Sequence, residues 1–285
     1  MSRAITRRLG GIGDAFADRN FRIYTIGSVL SWLSFFIQVV AVSWTAWELT
    51  HSTTWLAIIA LLDIAPNLLF LPIGGALADR FDRFRIVIIA YVAALLQALA
   101  LTLLAHTGSL TIGLLAMLSF LHGLIHSFSV PGAYGLMPRF VARERLSSAI
   151  AVSSAYMQLA IFAGPALAGW IILHFGTATA FATNVAGYLV FLATAAFLRT
   201  PPSYVPPTRS GRTILGDILD GARYILGHKG ISALLVLMLM GDAMSTAVYQ
   251  MLPAFAANVL RMGEATGVAG MSSLLSAAGL KRFAI

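Results

Sequence analysis

Apolar runs follow one another along the chain at about 23–47, 55–77, 86–105, 110–131, 149–173, 178–198 and 231–256, with an incomplete eighth at about 265–280. A helix needs about 20 mostly apolar residues to cross a bilayer, and each complete run meets that length. Water-soluble domains carry about 25% charged residues. Here the share is 11%, against 59% hydrophobic, so a globular surface could not be solvated and the chain is read as an integral membrane protein. None of the runs alternates with the ten-residue pattern of a membrane barrel, which leaves an all-α, polytopic fold.

The charges sort by side. The 19 Lys and Arg residues include Arg3, Arg7, Arg8, Arg19 and Arg22 before the first run, then Arg80, Arg83 and Arg85 between the second and third. Arg139, Arg143 and Arg145 lie between the fourth and fifth, and Arg199, Arg209, Arg212, Arg223 and Lys229 between the sixth and seventh. Lys281 and Arg282 follow the eighth, so only Arg261 falls on the opposite side. Basic loops stay in the cytoplasm, which predicts a multi-pass protein of the inner membrane with a cytoplasmic amino terminus. The opposite connections are short and marked by His51, by His106-Thr-Gly-Ser and by His174-Phe-Gly.

The net charge of +8 does not point to nucleic acid, because the basic residues form short groups between apolar runs instead of one stripe. Cysteine is absent, which excludes disulfides and thiolate metal sites. The first run is too long for the core of a signal peptide and reads as a retained helix. No Walker-type phosphate loop occurs, and the GGIG at Gly10–Gly13 lacks the third glycine of a dinucleotide site, so neither an enzyme nor a cofactor is expected.

The one long connection, about 199–230, opens with the proline-rich RTPPSYVPPTRSGR and continues as TILGDILDGARYILGHK, whose apolar residues recur at helical spacing. It divides the chain into an N-terminal six-helix bundle (1–198), a linker with an amphipathic helix lying at the membrane surface (199–230) and the start of a second bundle (231–285). The lead-in LGGIGDAFADRNFRIY before the first run has a similar character, as an internal repeat would.

The densest charge lies in GGALADRFDRFRIVI, between the second and third runs. A solvated turn accounts for such residues, yet their order has more to say. Gly75, Asp79, Arg80, Arg83 and Arg85 follow the G-x-x-x-D-R-x-G-R-x pattern that major facilitator transporters carry between their second and third helices. Asp82 stands where glycine is usual and Phe84 where a basic residue is usual. DRFDR resembles the exporter branch that includes the enterobactin exporter and the transmembrane secretion effectors.

A second match is AIFAGPALAGW in the fifth run, which resembles the antiporter signature of the same superfamily through Gly164, Pro165 and Gly169. Ala160, Gly164 and Ala168 lie four apart and form a stripe for close helix packing. The resemblance implies the major facilitator fold, with two six-helix halves and a small-molecule substrate bound between them. It implies that the charged loop is a conformational switch, with Gly75 admitting a neighbouring helix and Asp79 meeting a helix N-terminus or the adjacent arginines.

Ionisable residues at membrane depth are functional candidates. Asp63 in the second run and Asp242 in the seventh each read either as a proton or substrate site or as a structural hydrogen bond to a neighbouring Ser, Thr or Asn. His122 and His126 share a face of the fourth helix. They lack a third ligand for a metal, which leaves a pair lining a polar cavity or packing locally. Gln38, Trp44, Asn67, Tyr156, Gln158 and Asn184 are further polar or aromatic residues at depth.

The function expected is secondary active transport, with proton-coupled efflux of a small lipophilic molecule or siderophore. The eighth run is incomplete and turns abruptly basic, which reads as a truncated second half. A non-transporting remnant, a scaffold or assembly protein, and a chain completed by a complementing partner are the alternatives.

Overall fold

The computed structural model describes residues 12–198, 214–237 and 240–241. Among them the secondary structure is helical throughout, without a strand. A short helix α1 (Ile12–Ala15) precedes the long helices α2 (Arg19–Thr50), α3 (Thr53–Arg80), α4 (Arg83–His106), α5 (Ile112–Leu136) and α6 (Leu146–Ala196). A further helix, α7 (Ile214–Gly227), lies against α3, and residues 229–237 and 240–241 are helical as well.

The hydrogen-bonded run of α6 is 51 residues long, but Gly176 breaks it with φ 81° and ψ 170°. That conformation suits a residue without Cβ, so α6 is two limbs, 146–175 and 177–196, folded about the His174-Phe-Gly turn. The bundle thus has six crossings, matching the first six apolar runs. The runs place the crossings well and the ends poorly. At 32 residues α2 is about 48 Å long, beyond the roughly 30 Å of hydrocarbon, because a helix need not stop where the lipid does.

Helix ends follow local chemistry. The left-handed His51 (φ 47°) closes α2 by donating its backbone N–H to the Trp47 carbonyl, and its ring meets the Trp47 ring edge-on. Asp82 caps α4 by accepting from the Phe84 backbone N–H at 3.0 Å. Thr111 caps α5 through Leu114 N. Between α5 and α6 the chain makes two 3-10 turns, Met137–Arg139 and Arg143–Arg145.

Two helix pairs set the architecture. α2 packs on both limbs of α6, and α3 packs on α5. Each close approach is made at glycine. A Cβ on Gly27 would strike Thr194, one on Gly187 would strike Ser34, and one on Gly164 would sit 2.5 Å from the Phe36 Cβ. Across α3 and α5, Gly74 lies on the Ser127 carbonyl and Gly123 on the Asp63 carbonyl. Small residues of this kind let membrane helices meet backbone to backbone.

The apolar core is divided. One cluster, with Trp44, Trp47, Leu56, Leu115 and Phe181, fills the end away from the basic loops. Another, with Phe21, Tyr24, Val87, Leu136 and Phe191, fills the basic end. Between them a polar layer crosses the bundle. Asn184 of α6 donates to Gln38 of α2, Gln38 donates to Gln97 of α4 at 3.5 Å, and Gln97 donates to the Leu118 carbonyl of α5 at 3.2 Å. Each amide finds a partner on another helix, as buried polar groups in lipid must.

Candidate functional site

The polar layer also holds a part-buried contact between a carboxylate and an imidazole. His122 Nδ1 lies 2.8 Å from Asp63 Oδ1, joining α5 to α3. The contact depends on Gly123, the residue beside His122. Because it has no Cβ, α5 can settle on the Asp63 backbone and bring the imidazole within reach of the carboxylate. The His122 side chain is 9% exposed and that of Asp63 27%. Of the two readings of Asp63, the structural one has a neighbouring Ser, Thr or Asn as its partner. The observed one is a histidine, which can itself carry a proton.

His122 stands between two spaces. On one side is a small chamber of about 20 Å³, lined by Gln38, Asp63, Gln97, Ser119 and His122 with Val39, Val42 and Ile59. That volume suits about one water molecule. The Ser119 hydroxyl is buried there without a hydrogen-bond partner. On the other side is a cavity of about 390 Å³, bounded by α2, α4, α5 and α6. His126 joins His122 in its wall, with ring centroids 6.1 Å apart, and Phe35 of α2 stacks on both at 5.4 Å. Tyr24, Tyr91, Tyr156 and Tyr188 supply most of the remaining aromatic wall.

The structure therefore brings Asp63 together with His122 and His126, although it lies 59 and more residues from them. Asp242 lies outside the described residues. Of the other polar residues singled out, Tyr156 lines the cavity, while Gln38 and Asn184 belong to the amide layer. Trp44 instead donates to Glu48 at 2.5 Å in the core, and Asn67 and Gln158 are not part of the cavity wall. Gln97 was missed. A lone amide in the run AALLQALA was the signal that could have marked it.

At the basic end, the charged loop forms a clasp. Arg83 pairs with Asp79 at 2.7 Å and donates to the carbonyls of Ala78 (3.0 Å) and Gly135 (3.4 Å), tying α3 to α5. Gly135 gives the guanidinium its seat, since a Cβ there would meet Arg83 Cδ at 2.7 Å. Asp82, the departure from the usual glycine, is both the α4 cap and a neighbour of Arg139 at 3.9 Å. Arg85 is exposed and Arg80 half-buried. Nothing described lies within 4 Å of a Cβ at Gly75, and the close approach to α5 is made by Gly74. In the other signature, Ala160, Gly164, Pro165, Ala168 and Gly169 are all buried, with Gly164 against Leu33 and Phe36 of α2.

Comparison with known proteins agrees with this geometry. A family profile described as transmembrane secretion effector matches residues 14–283. The chain is 24% identical over 278 residues to macrolide efflux protein A of Streptococcus pyogenes, covering 90% of this chain and 69% of that protein. It is 25% identical over 240 residues to the enterobactin exporter EntS of Escherichia coli, covering 84% of this chain and 56% of that one. The crystal structure of a bacterial homologue of the human lysosomal transporter Spinster, inward-facing and unoccupied, superposes with a TM-score of 0.63 at 16% identity. That match covers 93% of this chain and 61% of the other. The chain thus spans between about half and two thirds of these relatives' lengths. Profile match, helical order and fold agree: the chain belongs to the transmembrane secretion effector family of the major facilitator transporters.

Proposed function

We propose that the six-crossing bundle is the first half of a secondary transporter that exports a small lipophilic molecule or siderophore across the inner membrane, driven by the proton gradient. Family membership and the printed names of the two exporters support the efflux class. The basic loops favour an amino terminus in the cytoplasm. In this reading residues 1–198 form one wall of the substrate path, 199–230 the linker and 231–285 the start of the opposite half.

The observation that carries proton coupling is the Asp63–His122 pair, set at membrane depth with one member in the cavity wall. A carboxylate and an imidazole held 2.8 Å apart join two helices, and each is a group able to carry a proton. A ligand entering the cavity meets His122 directly, so its arrival and the charge of the pair are energetically linked. Asp79, Arg83 and Gly135 hold the basic end of α3 to α5 and act as the conformational latch, which must yield or re-form as the two halves rock.

The experiment uses everted membrane vesicles containing the full chain, with a pH-sensitive dye reporting proton movement when a macrolide or a siderophore is added. Solute-dependent proton release that Asp63→Asn removes is the expected result. Release that persists unchanged in Asp63→Asn, or no release from the wild type, overturns the reading.

A further inference from the structure

The wall of the main cavity carries hydroxyls in place of fixed charge. Among the described residues that line it there are five serines and five tyrosines, and no Asp, Glu, Lys or Arg. Three of the serine hydroxyls are engaged locally. Ser31 donates to the Tyr91 hydroxyl at 3.4 Å, Ser129 to the His126 carbonyl at 3.2 Å and Ser153 to Met137 Sδ at 3.1 Å. Ser28 differs. It is 3% exposed, and its Oγ has no hydrogen-bond partner of normal geometry, although the Tyr24 and Tyr156 phenols stand beside it.

The two imidazoles do not make this wall an ion site. His122 Nδ1 is held by Asp63, which reaches the small chamber and not the cavity. Seen from the cavity, the carboxylate stands behind a ring. His126 stacks on Phe35 at 5.4 Å, and no lining group of fixed charge faces it. An ion of either sign would give up its water here without meeting a counter-ion. A neutral hydroxyl or carbonyl loses less, and a serine hydroxyl can serve it as donor or acceptor. A flat ring finds stacking surfaces in Phe35 and in Trp32, which itself stacks on Phe36.

We propose that this cavity takes an uncharged aromatic compound bearing a hydroxyl or carbonyl group, and that Ser28 is the residue that selects for that group. The proposal rests on reading the cavity as the substrate site and names the substrate class. Binding an uncharged compound requires no proton to enter with it. Its arrival can therefore displace a proton from the Asp63–His122 pair, the direction that proton-driven export needs.

Four probes on one ring system separate charge, hydrogen bonding and shape: naphthalenemethanol, methylnaphthalene, naphthoate and naphthylmethylammonium. Each is titrated by calorimetry into the full chain in lipid nanodiscs, with empty nanodiscs measuring partition into lipid. The pH is held at about 7.5, above the ordinary imidazole midpoint of about 6.5, where both ionic probes stay charged. Naphthalenemethanol is expected to bind at least roughly tenfold more tightly than either ion. Ser28→Ala, which keeps the volume of the side chain, is expected to weaken naphthalenemethanol about fivefold and to leave methylnaphthalene unchanged. Tighter binding of either ion overturns the proposal, and that ranking is read in the wild type whether or not the variant folds. Unchanged naphthalenemethanol binding in a folded Ser28→Ala chain, or an equal loss for both neutral probes, overturns the role of Ser28. In each of these cases Asp63-dependent proton release would leave the transport reading standing. Binding of none of the four overturns the proposal and the assignment of the cavity to substrate with it.

Discussion

Two carboxylates in α3 hold basic partners at nearly the same distance, and they do different things. Asp79 meets Arg83 at 2.7 Å with its side chain 73% exposed, at the helix end where water reaches it. Asp63 meets His122 at 2.8 Å, between helices, in the middle of an apolar bundle. An exposed pair gains at most about 1 kcal/mol, since water already solvates both ions. A pair in the low-dielectric interior is costly to charge and costly to break, so its protonation state depends on whatever stands beside it. The lesson is that distance alone does not identify a switch. What surrounds the pair, and which helices it joins, decides.

The comparison breaks most completely at Gly123. A Cβ there would meet the Asp63 backbone carbonyl group and lie 3.2 Å from its Cα, so neither side can rotate away. Gly123→Ala is expected to force α3 and α5 apart, to separate His122 from Asp63 and to destabilise the bundle by about 3 kcal/mol. Loss of the monodisperse peak in detergent size-exclusion chromatography checks this. Gly113→Ala, where nothing lies within 4 Å, should leave the peak unchanged.

A smaller and more selective change is Asp63→Asn set against Asp79→Asn. The amide at position 63 can still accept from His122 and so keeps the helices together, but it cannot take up a proton. Solute-dependent proton release in vesicles is expected to fall at least roughly tenfold, with unfolding temperature little changed. Asp79→Asn weakens the clasp without removing its other contacts, since Arg83 still donates to Ala78 and Gly135. Its effect on release is expected to stay within a few-fold. Equal losses in the two variants would erase the distinction between the exposed and the buried pair.

How much of this could be read from sequence follows from the same physics. Six crossings and their basic connections were legible, because lipid demands long apolar runs and basic loops mark one side. The turn at Gly176 was legible for the same reason. The Asp63–His122 contact was not. It joins residues 59 apart through a glycine whose role is to lack a side chain, and helical spacing relates residues only along one helix. The approach of Gly74 to Ser127 left no mark either, because a motif fixes positions and not the direction a helix face points. Asp82 looked like a departure from a pattern, and the backbone shows it capping α4. The cavity's tyrosines come from four helices and leave no periodic trace in any one of them.

Asp82→Ala tests that departure. Its loss removes the hydrogen bond to Phe84 N and the neighbour of Arg139 together. An N-cap of this type is worth about 1 kcal/mol, so a modest drop in unfolding temperature is expected. Asp82→Ser, which keeps a capping oxygen, should recover most of it. Asp82→Gly, the commoner residue in the pattern, should recover most of it as well, since glycine at this position costs only a few tenths of a kcal/mol against a true cap.

The smallest effect belongs to the pair that sharpens the comparison from the exposed side. Asp18, just before α2, accepts from Arg145 Nη1 at 3.3 Å and from the Ala142 backbone N–H at 3.3 Å, tying the amino-terminal lead-in to the loop before α6. The two side chains are 28% and 40% exposed, so water and salt compete for both. A double-mutant cycle of Asp18→Asn and Arg145→Gln is expected to give a coupling below about 1 kcal/mol, shrinking further as salt is raised. The Asp63–His122 coupling, whose basic partner is 9% exposed against 40% for Arg145, should move less with salt. A salt-insensitive Asp18–Arg145 coupling would mean that this end of the bundle is as closed to water as its centre. The latch would then have to be sought among the buried pairs instead of the exposed ones.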